Sequence, residues 1–204
     1  MNLKNWRLSS IRWALVLIIF SPFAIAIEHY QLLNHLDNYG NLDLRNKPYS
    51  RLPSGLAVKG NLNIASSPIS ALPSGTVIQG NLEASHSLLS RIGMQTRIRG
   101  YANLANSQIV RWPAGIQLGG FLNLSDTPLQ SLPAKLRVRG DLSVIRTPLK
   151  QLPEGLIVEG NLYLGGSAIT ELPDTLTIHG NLFLGGNQIT RWPTQLTLGG
   201  AVAR

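Results

Sequence analysis

Between Gly40 and Gly200 the chain alternates apolar and polar residues in short bursts rather than long runs. One unit reads Leu152-Pro-Glu-Gly-Leu156-Ile-Val158-Glu-Gly160-Asn-Leu162-Tyr-Leu164-Gly-Gly-Ser167-Ala-Ile169-Thr-Glu. It contains two such bursts, Leu156-x-Val158 and Leu162-x-Leu164. Period-two alternation over so few residues predicts short, half-buried β-strands. Gly160 is expected to turn the chain between them, through a backbone angle or a close contact that a Cβ would obstruct. The Ser-x-Ile segment and Leu-Pro then carry the chain to the next unit. Proline has no N–H to give a central ladder, so the Leu-Pro side is expected to be irregular.

The units repeat with an integer period of 20. Glycine stands at 40, 60, 80, 100, 120, 140, 160, 180 and 200, and proline at 53, 73, 113, 133, 153, 173 and 193, with Gly93 the one interruption. A residue set that recurs at a fixed spacing of this size predicts a solenoid. A lone 20-residue coil cannot offset the entropy of ordering its backbone, whereas stacked coils bury each other's faces and pair each other's edges. The expected fold is therefore mainly β, a right-handed solenoid of leucine-rich-repeat or β-helix type with about eight coils and a short N-terminal helical cap. Ser67, Ser87, Ser107, Thr127, Thr147, Ser167 and Asn187 share one column. These side chains are expected to bond the backbone of the adjacent coil and support the stacking.

The stretch Leu182-Phe-Leu184-Gly-Gly-Asn187-Gln-Ile189-Thr-Arg-Trp192-Pro193 resembles the leucine-rich-repeat consensus L-x-L-x-x-N-x-L-x-x-L-P. Its length and Leu-Pro ending are similar to the short bacterial repeats of secreted effectors that act inside host cells, and the likeness covers residues 40–200. It implies a solenoid with a tendency to bind proteins. Ser or Thr replaces the Asn in most coils, and the fixed Gly-Asn before the second strand is foreign to the consensus. The effectors that ligate ubiquitin add a large cysteine-dependent domain, for which this cysteine-free chain has no counterpart. The phrase Val-x-Gly-Asn-Leu is also similar to bactofilin-like β-helices, which polymerise end to end, although Leu-Pro and Thr-x-Ile do not belong to them.

Charge and hydropathy divide the remainder. Lys4, Arg7 and Arg12 precede the apolar run Trp13–Phe20, Ser21-Pro22 breaks it, and Phe23-Ala24-Ile25-Ala26 has the small-x-small pattern of a cleavage site. Residues 1–26 are thus expected to be a signal peptide cut after Ala26, or an uncleaved anchor touching the membrane through residues 13–27. In both cases the repeats lie outside the cytoplasm, periplasmic, secreted or anchored at the inner membrane, because the positive end stays inside. Residues 27–39 form a cap segment, with Leu32, Leu33 and Leu36 at helical spacing. Residues 40–204 form the repeat domain, which stops part-way through a coil. Its open strand edge is a candidate for self-association.

No catalytic, cofactor or metal constellation is legible. The four histidines have no partner at ligand spacing, and the Gly-Gly pairs lack the helix and Lys-Ser/Thr of a phosphate loop. The expectation is a binding protein, not an enzyme. Variation is confined to outward columns. Arg97, Arg99, Arg137 and Arg139 recur in two columns of the first strand, inside a segment, 91–150, with nine basic and two acidic residues. Residues 151–190 hold four acids and no lysine or arginine. The arginine pairs are two coils apart, about 10 Å, and suit an anionic envelope component: a lipid head group, a polysaccharide or an acidic protein face. Nucleic acid is not expected, given export and the absence of aromatics interleaved with the arginines. On the second strand the outward column ends in Tyr163 and Phe183, and Tyr101 and Phe121 lie two residues earlier in their coils. Exposed aromatics on a strand face are anchors for a protein partner. The alternative is a structural envelope protein that assembles end to end through its C-terminal coil.

Overall fold

The computed structural model describes residues 25–204, so most of the expected leader lies outside the described residues. The described chain is a parallel β-solenoid. Strands of two residues each, from Leu42–Asp43 through Leu62–Asn63 to Val202–Ala203, stack into one nine-stranded parallel sheet, each pairing with the strand 20 residues on. The nine strands exceed the eight expected coils because the partial coils at both ends pair as fully as the complete ones.

The first strand of the unit forms a second ladder, but this one is divided. Ala57–Val58, Val77–Ile78, Arg97–Ile98 and Gln117–Leu118 make one four-stranded sheet. Arg137–Val138, Ile157–Val158, Thr177–Ile178 and Thr197–Leu198 make another. The Leu-Pro side is less irregular than proline alone implies: Ala71–Leu72 pairs with Arg91–Ile92, and single bridges join Arg111 to Ser131 and Glu171 to Arg191. Pairing there is tolerated because it uses the residues just before the proline.

The alternation has its expected consequence. Leu62, Ile64, Leu82, Leu122, Leu142, Leu162, Leu164 and Leu182 are fully buried, and the core is one continuous cluster of aliphatic side chains joined by Trp112. Two turn columns hold left-handed backbone. One of them runs through Asn46, Ser66, His86, Asn106, Asp126 and Arg146 and ends in Gly166 and Gly186.

The corner glycines, by contrast, have ordinary angles in every coil after Gly40. Their requirement is space. A Cβ on Gly80 would lie 2.8 Å from the Gly60 carbonyl carbon and collide with Asn61 Oδ1. That close approach serves a ladder: Asn41 Oδ1 accepts the Asn61 N–H (2.7 Å), Asn61 Oδ1 the Asn81 N–H (2.8 Å) and Asn161 Oδ1 the Asn181 N–H (2.8 Å). The Gly-Asn pair is thus the true inter-coil seam.

The Ser/Thr hydroxyls of this column do not donate to the backbone of the adjacent coil. Ser67, Ser87, Thr127 and Thr147 each donate to the carbonyl three residues earlier in their own coil, Ile64, Ala84, Leu124 and Val144. Direction rather than length is the reason: these hydroxyls are buried and turned back into their own turn, whereas Ser90 Oγ and Thr190 Oγ1, elsewhere in the unit, do reach Ser70 O and Thr170 O of the coil below. Asn187 does cross, donating to Ser167 O and Ile169 O and accepting from Gly166 N–H.

At the N-terminal end, Ile25–Ala26 pairs with Tyr49 and Arg51, and Ile27 is buried. The helical segment is one turn, His29–Leu32, closed by a Glu28/Gln31 capping box and followed by a 3-10 turn, Leu33–His35. Only Leu32 of its three leucines reaches the core; Leu33 and Leu36 are exposed. No helix among the described residues is long and apolar enough to cross a membrane.

Candidate functional site

The nine-stranded sheet turns one side chain per coil outward. Its polar half satisfies itself. Asn103 Nδ2 donates to both oxygens of Glu83 (3.1 and 3.0 Å), Asn123 Nδ2 to Asn103 Oδ1 (3.0 Å), and Ser125 Oγ bonds Asn123 Oδ1 and Ser143 Oγ, both at 2.7 Å. Beyond Ser143 the column changes character. Tyr163 and Phe183 stack with centroids 4.7 Å apart and planes within 3°. Directly opposed positions in a parallel ladder are held at the strand spacing, which suits ring stacking.

Tyr101 and Phe121 form a second stack, at 4.3 Å and 8°, but on the corner rather than the sheet face. They occupy the Asn column, and neither offers an acceptor to the coil above. Tyr101 N–H still donates to Asn81 Oδ1, and the ladder resumes only where Asp141 Oδ1 accepts from Asn161 N–H. The glycine rungs fail in the same place: Gly100 N–H donates to Gly80 O and Gly160 N–H to Gly140 O, with no counterpart at Gly120 or Gly140.

The first ladder opens here too. Arg97 N–H donates to Thr76 O, Arg99 N–H to Ile78 O, Ile157 N–H to Leu136 O and Glu159 N–H to Val138 O, all at 2.9–3.0 Å. The period calls for Arg137 N–H to reach Ile116 O and Arg139 N–H to reach Leu118 O; neither bond is formed. Gly119 stands at the edge of the break, and a Cβ there would collide with the Arg99 carbonyl oxygen of the coil below. The notch has a volume of about 640 Å³ and is lined by Arg97, Arg99, Gln117, Gly119, Arg137 and Arg139 among others. Core side chains around it, Ile116, Leu118 and Leu136, are only partly buried.

The structure thus gathers all four candidate arginines at one concavity, and gives them different states. Arg137 is turned to the next coil, where it pairs with Glu159 at 2.6 Å. Among the described residues Arg97, Arg99 and Arg139 form no ion pair. The acidic distal segment is largely self-engaged: Glu171 and Asp174 both face Arg191, and Glu154 accepts from Thr175. Elsewhere, the Arg146 guanidinium hydrogen-bonded to Asp126 holds that carboxyl below its ordinary range, and Arg45 does the same to Asp43. The repeat alone does not predict the break in the first ladder, although its signals are visible in the sequence: Gly119 between Arg99 and Arg139 of the flanking coils, and aromatics in the Asn column. No group of three metal-ligating side chains converges among the described residues.

The fold defines a parallel β-solenoid repeat protein. No protein-family model, curated protein or solved structure matches the chain.

Proposed function

We propose that the chain is a leucine-rich-repeat-like scaffold, exported or membrane-tethered, that binds a protein partner through its strand face and performs no catalysis. The observation that carries this reading is the Tyr163–Phe183 stack, partly buried on the outward face of the nine-stranded sheet. Rigid aromatic surface held in register offers contact area with little entropy left to lose, the property that makes Tyr and Phe effective anchors at interfaces. The strand face of leucine-rich repeats is their usual ligand-reading surface, and the Leu-Pro repeat with its Asn187 cross-coil bonds supports that kinship. The charged n-region and apolar run of residues 1–26 support export.

Site-specific photo-crosslinking in cells producing the full chain tests the proposal. A probe at position 183 should give a discrete adduct that a probe at Thr194, on the opposite side, does not, and Tyr163→Ala should abolish it. Equal labelling from both positions would refute a strand-face partner. An adduct whose mass is a multiple of this chain, with scattering mass that rises with concentration, would favour end-to-end assembly instead.

A further inference from the structure

We propose that the notch between Gly119 and Arg137 binds an acidic saccharide, a sugar unit carrying a carboxylate or phosphate. This site lies on the first ladder, away from the strand face, and stands whether or not that face has a partner. Two sets of unmet groups meet there. Arg97, Arg99 and Arg139 form no ion pair among the described residues and supply fixed positive charge with forked N–H donors suited to carboxylate or phosphate oxygens. Across the same gap the absent rungs leave Ile116 O and Leu118 O without donors, and Arg137 N–H and Arg139 N–H without acceptors.

The carbonyls narrow the ligand class. A bare inorganic anion has charge for the arginines but would set its lone pairs against those carbonyl oxygens. A hydroxylated ring carrying an acid satisfies both, with hydroxyls donating to Ile116 O and Leu118 O and the acid accepting from the arginines. The volume, about 640 Å³, lies within the range of roughly 300–1,000 Å³ of small-ligand sites. A peptide strand also has donors and acceptors, but only two rungs are open, too few for an added strand.

Arg137 sets the site's upper limit. Its ion pair with Glu159 withholds one cation and keeps a carboxylate near the rim. Freeing it should strengthen binding, a response that a generic basic surface would show only weakly.

The test is calorimetric titration of the full chain with trigalacturonate, its neutral methyl ester, glucose 1-phosphate, inorganic phosphate and a hexaglutamate peptide. Trigalacturonate or glucose 1-phosphate should bind at least tenfold more tightly than the ester, phosphate and peptide, and which of the two wins identifies the acid. Arg97→Gln and Arg139→Gln should each weaken it at least fivefold; Lys59→Gln, a cation in the same column as Arg99 and Arg139, should leave it within twofold. Glu159→Gln should tighten it. Inorganic phosphate binding as tightly as the acidic sugar, preference for hexaglutamate, no binding of either acidic sugar, or equal effects of Lys59→Gln and Arg139→Gln would overturn the proposal. Circular dichroism of each variant confirms that the fold is retained.

Discussion

Gly160→Ala tests the seam that holds the solenoid together. A Cβ at this position would lie 2.7 Å from Gly140 C and 2.8 Å from Asp141 N, and nearer still to Asp141 Oδ1. That oxygen accepts the Asn161 N–H at 2.7 Å, so the methyl cannot be housed without moving the bond that joins the coils. Forcing an extra carbon into a packed site costs about 1–3 kcal/mol. Losing a hydrogen bond to a charged acceptor costs about 1.5–3 kcal/mol more. The alanine recovers about 0.4–1 kcal/mol by restricting the unfolded chain. The net expectation is about 2–5 kcal/mol. The neighbouring control, Glu159→Ala, removes only a partly exposed ion pair with Arg137, worth about 0–1 kcal/mol. Urea denaturation followed by circular dichroism separates them: at about 2 kcal/mol/M, Gly160→Ala should move the midpoint by about 1–2.5 M and Glu159→Ala by under about 0.5 M. Asp141→Ala, costly alone, should cost little more in the Gly160→Ala background, since the bond it removes is already broken. Equal midpoints for the two single variants, or strictly additive costs for the pair, would refute the reasoning.

Three further outcomes follow from particular side chains. Ser107 Oγ is buried without a partner, whereas Ser87 Oγ in the same column donates to Ala84 O at 2.6 Å. Ser107→Ala should therefore be neutral or slightly stabilising and Ser87→Ala should cost about 1 kcal/mol, read as denaturation midpoints. Asn187→Ala should cost about 2–3 kcal/mol in the same assay, because its amide makes four bonds that reach the coil below. The Asp126 carboxyl is depressed in the folded state by Arg146, so its contribution is present above the ordinary carboxylate pKa and lost as pH falls through the lower folded value. The gap in melting temperature between the native chain and Arg146→Ala should accordingly hold down to about pH 5 and close below about pH 4.

The repeat, the burial of the alternating leucines and the parallel pairing were all legible in the sequence, because a side chain's place in a solenoid depends only on its position modulo 20. The nature of the corner was half legible. Nine glycines signal a constraint, but only packing distinguishes a positive angle at Gly40 from a close approach at Gly80. The Ser/Thr column misleads, since its composition suits either a bond across coils or one back to Ile64 O within the coil, and the direction in which the hydroxyl is buried decides. The arginine cluster was visible as a charge pattern. Its division into three guanidiniums without an ion pair among the described residues and one tied to Glu159 depends on rotamers and on the split ladder, neither of which has a period. Departures from the repeat, Gly119, Tyr101 and Phe121, mark the site better than the repeat does.

Every rung of the main sheet joins a residue to the one 20 positions on, from Leu42 with Leu62 to Leu182 with Val202. The register therefore survives the removal or duplication of any contiguous 20 residues: excising 61–80 brings Asn81 to the place of Asn61 over Asn41, glycine to glycine and leucine to leucine. Length is thus a free variable of this molecule, adjustable in steps of one strand spacing, about 4.8 Å, without a change of register. A gene encoding it can lengthen or shorten the bar by unequal exchange between its own repeats and still specify a folded product. The notch and the aromatic stack, by contrast, tie particular chemistry to a particular distance from either end.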